Sequence, residues 1–170
     1  DGGYGMISGL FLTSSSNNTI SGNTLTYNKY GIYLENSTGN ILRNNTLIDN
    51  TYNFGVFGSN IEEYMHDVDM SNTANGNPIY YLIGQNGMVL DETPLGYLAL
   101  INCNNIQVKN ITVTNNDIGL LLVNTTNSTF ENCNFTDNSE CGIYLWNSAN
   151  NTFSANNLTS NGNGIYLDSS

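Results

Sequence analysis

Positive charge is scarce in this 170-residue chain: three lysines and arginines stand against 14 aspartates and glutamates, a net charge of -11, with only 10 % charged residues in all. That balance argues against a nucleic-acid partner, whose phosphates need Lys and Arg, and against attraction to anionic membrane surfaces. Long apolar runs are missing too. None approaches the roughly 20 residues of a membrane span, so no membrane insertion is expected, and no signal peptide is visible. Proline occurs twice and histidine once. Cysteine occurs three times, an odd number that leaves at least one thiol unpaired within the chain. Cys133 occupies a slot held elsewhere by Asn23, Asn45 and Asn156 and reads as a buried free thiol. Cys103 and Cys141 fall near turns, where a disulfide between subunits is open to them, and no spacing matches a zinc site.

What the chain has in abundance is asparagine, about one residue in five, arranged in a repeat. Anchored one residue before an Ile-x-Leu-like triplet, the units start at Gly9, Gly31, Gly55, Tyr97, Gly119, Gly142 and Gly164, spaced by 22, 24, 42, 22, 23 and 22 residues. Aliphatic residues recur at the second position, and Ile20, Leu42, Val108, Phe130 and Phe153 recur eleven residues after the anchor. An asparagine column follows at Asn28, Asn50, Asn116, Asn138 and Asn161. Short alternating apolar pieces broken by Asn, Gly, Ser and Thr read as brief strands joined by turns. A fixed period of this length is one rung of a solenoid, because stacking buries what a single rung cannot. The expected fold is therefore all-β: a single-stranded right-handed parallel β-helix of about seven to eight coils, with one irregular double coil. A leucine-rich repeat competes, but it needs more Leu per unit in another spacing and usually a helical return. The Asn column should form a side-chain ladder at turns of left-handed backbone.

Residues 1–170 read as one domain, with regular coils over 1–58, irregular coils over 59–96 and regular coils again over 97–170. Residues 1–8 read as the tail of a coil, and the chain itself as processed or a fragment. In the irregular section, Ile79 to Ile83 and Met88 to Leu90 flank the turn Gly84-Gln85-Asn86-Gly87, either as a hairpin or as parts of two distorted coils, with a protruding loop near 62–77. Phe11, Tyr33, Phe57, Tyr144 and Tyr166 alternate with the inward residues, so they should point outward as a docking stripe or as partly covered packing. Nine Asn-x-Ser/Thr sequons, at Asn17, Asn36, Asn44, Asn110, Asn124, Asn127, Asn134, Asn150 and Asn157, are glycosylation candidates in a secreted chain; a composition this rich in Asn and Thr also produces them by chance.

The units NNTISGNTLTYNKYGIYL and NNTFSANNLTSNGNGIYL resemble right-handed parallel β-helix repeats of the NosD-like, carbohydrate-binding and sugar-hydrolase group. The segments HDVDMSNTANGNPIYYLIGQNG and GYLALINCNNIQVKNITVTNN are similar to the irregular section of archaeal cell-surface members. That resemblance implies an extracellular or cell-surface location among surface-layer and sheath components, adhesins and polysaccharide-acting enzymes, a range too wide for the fold alone to select from.

A glycosidase would need carboxylates converging on one face. The acids of the regular coils, Glu35, Asp49, Asp117, Glu131, Asp137 and Asp168, read as scattered, and the paired-Asp, Gly-His-Gly and Arg-x-Lys patterns of β-helix pectinases are missing, so no enzyme activity and no cofactor are expected. Met65, His66 and Met70 are thin candidates for soft-metal ligands, and packing or capping of the irregular coil is the favoured role. Calcium on Asp67, Asp69, Asp91 and Glu92 would lack a defined loop. Neither end offers a capping helix. The favoured expectation is a structural protein of the cell exterior that polymerises head to tail with itself, using Phe11, Tyr33, Tyr144, Ile165, Tyr166, Cys103 and Cys141 as assembly candidates. The rival is a glycan-binding or glycan-processing module of a larger surface protein.

Overall fold

The structure, a computed structural model, describes residues 8–170; residues 1–7, read above as part of a coil tail, lie outside it. Coil 1 comprises β1 (Ser8–Thr13), β2 (Thr19–Ser21) and β3 (Thr24–Thr26), and coil 2 comprises β4 (Tyr30–Glu35), β5 (Ile41–Arg43) and β6 (Thr46–Ile48). Coil 3 runs through β7 (Tyr52–Phe57), a 3-10 turn at Ile61–Tyr64, β8 (Asp67–Val68) and β9 (Thr73–Ala74). Coil 4 holds β10 (Asn77–Ile83) and β11 (Val89–Asp91), and coil 5 holds β12 (Tyr97–Ile101), β13 (Gln107–Lys109) and β14 (Thr112–Thr114). Coil 6 follows with β15 (Ile118–Val123), β16 (Thr129–Glu131) and β17 (Asn134–Thr136), then coil 7 with β18 (Cys141–Trp146) and β19 (Thr152–Ser154); β20 (Asn163–Asp168) opens an eighth. Equivalent strands pair in parallel one coil apart, as the repeat requires: Val108 over Phe130 over Phe153, and Leu122 over Leu145 over Leu167.

One anchor needs correcting. β7 pairs with Ile32 opposite Phe54 and Leu34 opposite Val56, so coil 3 is anchored at Asn53 and not at Gly55. A slip of two residues keeps every inward side chain inward, and hydrophobic pattern alone cannot detect it.

The regular coils turn at four corners, where side-chain ladders satisfy backbone groups. In most rungs a backbone N–H in one coil donates to a side-chain acceptor in the next, while Thr38 N–H donates back to Ser16 Oγ. At one corner Ser15 N–H donates to Ser37 Oγ, Cys103 N–H to Thr125 Oγ1 and Thr125 N–H to Ser148 Oγ. At the column read from sequence, Asn28 N–H and Nδ2 both donate to Asn50 Oδ1, and Asn138 Nδ2 to Asn161 Oδ1 at 3.0 Å. The ladder stands, but its backbone was misplaced: the left-handed residue is the one before each rung, Tyr27, Asp49, Asn115, Asp137 and Ser160. Asparagine tolerates that conformation best among residues with a side chain. Seven of the nine sequon asparagines, Asn17, Asn36, Asn44, Asn110, Asn124, Asn127 and Asn150, have the same left-handed backbone. At Asn17, Asn44, Asn110, Asn127 and Asn150 a left-handed Asn, one corner residue and a strand-opening Thr write the sequon. All nine sit at exposed positions except the half-buried Asn124.

The chain does not build one continuous stack. At Asn75-Gly76 both residues have positive φ, 49° and 83°, the signature of a two-residue hairpin turn that matches strand twist. β9 and β10 pair antiparallel across it, Ala74 opposite Asn77 and Thr73 opposite Pro78. One sheet therefore continues in the order β3-β6-β9-β10-β12-β15-β18-β20, with strand direction reversed at its middle. Parallel crossovers keep one hand, so coils built on reversed strands lie on the opposite face of that sheet. Two stacks, arm 1 (8–74) and arm 2 (77–170), result. Leu98, Leu100, Leu120, Leu122, Ile143 and Leu145 fill the interior of arm 2. The alternate residues of the same strands, Tyr97, Ala99, Ile101, Leu121, Val123 and Tyr144, join the core of arm 1 with Phe54, Val56 and Tyr64.

Residues 62–77 accordingly do not protrude. Val68 pairs with Leu42 and Ala74 with Leu47 as coil 3, while Tyr64 is buried against arm 2 near Trp146, ring centroids 5.9 Å apart. β10 and β11 lie in different sheets, so the segment forms distorted coils and no hairpin.

Candidate functional site

The two arms meet along a polar seam. Asn53 N–H donates to Asn115 O at 2.6 Å, Phe54 N–H to Asn116 Oδ1 at 3.2 Å, and Asp117 N–H to Phe54 O at 3.0 Å. Gly55 is required here: a Cβ would sit 2.6 Å from the Tyr33 ring and 2.7 Å from Asp117 Cβ. Beside this seam the outward face of β4 and β7 and the outward face of β15, β18 and β20 enclose a cleft of about 450 Å³.

Its walls repeat along each arm because every coil supplies the same position. β4 and β7 contribute Tyr33, Glu35 and Phe57; the other wall holds Asp117, Glu140, Tyr144, Tyr166 and Asp168. Tyr144 and Tyr166 stack at 5.5 Å, and Phe11 stacks on Tyr33 at 5.8 Å. Asp117 is 1 % exposed; its Oδ1 accepts from Ser139 Oγ at 2.8 Å, and its Oδ2 has no hydrogen-bond partner. Burial raises its pKa to about 7, with the Ser139 bond opposing and Glu140 adding to the rise. Burial also raises the Tyr33 hydroxyl, as do Asp117 and Glu35. Lys and Arg are missing from the lining. Arg43 binds Asp67 and Asp69, Lys109 approaches Glu131 at 3.8 Å, and Lys29 lies 5.5 Å over the Tyr30 ring.

Several expectations are corrected by this geometry. The acids read as scattered converge in part: Glu35, Asp117 and Asp168 line one cleft with Glu140. Tyr33, Tyr144 and Tyr166 do stand on outward faces, but Tyr144 is only 6 % exposed because arm 1 covers it. Phe11, Ile165 and Tyr166 remain exposed. Cys103 and Cys141 are buried with Cys133, which withdraws them from any contact between subunits. Cys103 Sγ lies 3.4 Å from the carbonyls of Leu82 and Ile101, and Cys133 Sγ 3.2 Å from that of Glu131, as corner groups inside the stack.

His66 is a rung. Its Nδ1 accepts from Asn40 N–H at 3.4 Å, the task of Asn40 toward Asn18 and of Asn151 toward Ser128. Burial lowers its pKa to about 4. Met65 and Met70 are exposed on either side of β8. Among the described residues no three His, Cys, Asp or Glu side chains gather as a metal would require.

Sequence reasoning placed Phe57 on one stripe with Tyr33 but missed Glu140 as a partner of Asp117. A usable signal was present. Asp117 and Glu140 hold equivalent positions before β15 and β18, and the strand sequences YLALI and IGLLLV lack alternation, which marks strands buried on both faces.

A family model described as the periplasmic copper-binding protein (NosD) matches residues 6–86, and one described as the right handed beta helix region matches residues 71–170. The first covers arm 1, the second covers arm 2, and they overlap at the Asn75-Gly76 reversal. No curated protein and no solved structure matches the chain. With more than half of its length matched and its equivalent strands stacked in parallel at the same period, the chain belongs to the right-handed β-helix family.

Proposed function

We propose that this is an extracytoplasmic β-helix protein whose cleft between the arms binds a glycan. The observation that supports it is the pairing of aromatic faces with carboxyl groups in one concave site: Tyr33 and Phe57 on one wall, Tyr144 and Tyr166 on the other, four acids among them. Aromatic faces cover the apolar C–H surface of a sugar ring, and carboxylates are strong acceptors for its hydroxyls. The volume lies within the range of small-molecule clefts, roughly 300–1,000 Å³. The periplasmic description of the NosD family supports the location.

Copper, which that family's name invokes, does not fit the donors here. His66 has spent one ring nitrogen on Asn40 inside a coil, and Met70 lies on the exposed turn after β8. The test of the glycan reading is titration calorimetry against a panel of polysaccharide fragments. Tyr33→Ala and Tyr166→Ala should each weaken the best ligand about tenfold, or 1.4 kcal/mol. Unchanged affinity in both would sink it, and release of new reducing ends would make the site hydrolytic.

A second reading, stacking of copies coil on coil, is supported by β20, where Ile165, Tyr166 and Leu167 are 40 %, 47 % and 59 % exposed. A further segment of chain would cover that edge equally well. Native particle size separates the two, and Ile165→Pro with Tyr166→Lys should abolish any polymer.

A further inference from the structure

The polar groups of the cleft are unbalanced. Four carboxyl groups face it, no basic side chain among the described residues lines it, and all three basic residues of the chain are engaged elsewhere. Asp117 makes the imbalance specific. It is 99 % buried, it lines the cavity, one oxygen is taken by Ser139 Oγ and the other has no donor. A buried acceptor left without a donor is costly, so a ligand that brings one gains at this atom. Aromatic rings beside the acids favour that donor being a cation, since an ammonium is drawn both to carboxylates and to ring faces.

We propose that the cleft selects a glycan bearing free amines, a glucosamine-type oligomer, with an ammonium group donating to Asp117 Oδ2. The inference rests on the glycan reading above and names its substrate class. An ammonium carries three donors and no acceptor, which suits a lining of acids. A neutral sugar hydroxyl also donates, but it leaves the charge of the lining uncompensated. A carboxyl that titrates near 7 is poised for such a ligand, because an arriving cation draws it to the ionised form.

The experiment compares four probes by titration calorimetry on the whole chain: an oligomer of glucosamine, its fully N-acetylated counterpart, a glucose oligomer of the same linkage, and spermine. The glucosamine oligomer should bind about tenfold tighter than either neutral oligomer. Asp117→Asn should remove that preference, so that on the variant the glucosamine oligomer binds no tighter than the neutral oligomers, with circular dichroism confirming the fold. Glu140→Gln, at an exposed position, should reduce the preference in part. Equal binding of all three oligomers overturns the amine inference and leaves the glycan reading standing. Spermine binding as tightly as the glucosamine oligomer, with the neutral oligomers silent, overturns the sugar in both statements. Silence from all four overturns both outright, and an Asp117→Asn protein that keeps the preference overturns the assignment of that residue.

Discussion

β4 and β15 are nearly the same strand, YGIYLE and IGLLLV, each with a glycine at the second position and aliphatic residues pointing into its own coil. They differ on the other face. Tyr33 and Glu35 of β4 are half-buried along an open cleft, whereas Leu121 and Val123 of β15 are fully buried beneath arm 1. The contrast shows that a coil's inner face is decided by its own repeat, while its outer face is decided by where a distant part of the chain comes to rest. It also explains the composition. Apolar residues fill the outer face in coils 4 to 7, from Ile79 and Tyr81 to Tyr144, where arm 1 supplies a cover.

The largest test of that contrast is a pair of truncations. Leu145→Ala removes an inward residue and Leu121→Ala an outward one, and both should cost about 2–5 kcal/mol in chemical denaturation. Phe11→Ala, on the outer face of arm 1, should change stability by under about 0.5 kcal/mol. A Leu121→Ala cost as small as that of Phe11→Ala would mean the arms do not pack.

A smaller effect is expected at the seam. Gly55→Val places carbon against the Tyr33 ring and Asp117, and should cost about 1–3 kcal/mol while leaving the spectrum of the parallel strands intact. Binding in the cleft should fall with it. A variant as stable as the parent would show that the walls stand further apart.

The smallest effect is one of pH, because two buried groups oppose each other. Asp117 has its folded pKa raised to about 7, so its contribution is full below about pH 4 and is lost as pH rises through 7. His66 has its folded pKa lowered to about 4, so its contribution is present above about pH 6.5 and is lost as pH falls toward 4. The parent's Tm should therefore move little between those limits. Asp117→Asn should leave a Tm that rises with pH across the window, and His66→Asn, which keeps an acceptor on the rung, one that falls. Matching slopes in the two variants would contradict the opposition.

Much of this was legible from residues alone. The period near 22, the inward ladders and the pairing of Leu122 with Leu145 follow from repetition, since each coil faces the same neighbours as the next. Residues 75 and 76 were legible in principle, an Asn-Gly pair being the strongest short hairpin signal. It was masked because coils 3 and 4 together occupy twice the period, so the count of residues runs through the reversal undisturbed. His66 was legible only in kind: packing or capping was the favoured role for a lone histidine among methionines, but its place in the corner ladder shows only when Asn40 is seen beneath it.

The sequence by itself determined the coil, because strand length, corner chemistry and inward apolar residues are all interactions between positions one period apart. Only the tertiary structure decided the cleft. Tyr33 and Asp117 are brought together by a two-residue turn that inverts strand direction and so places the second stack on the other face of a shared sheet. That contact joins coils 2 and 6, belongs to no repeat, and so leaves no periodic trace for sequence to carry.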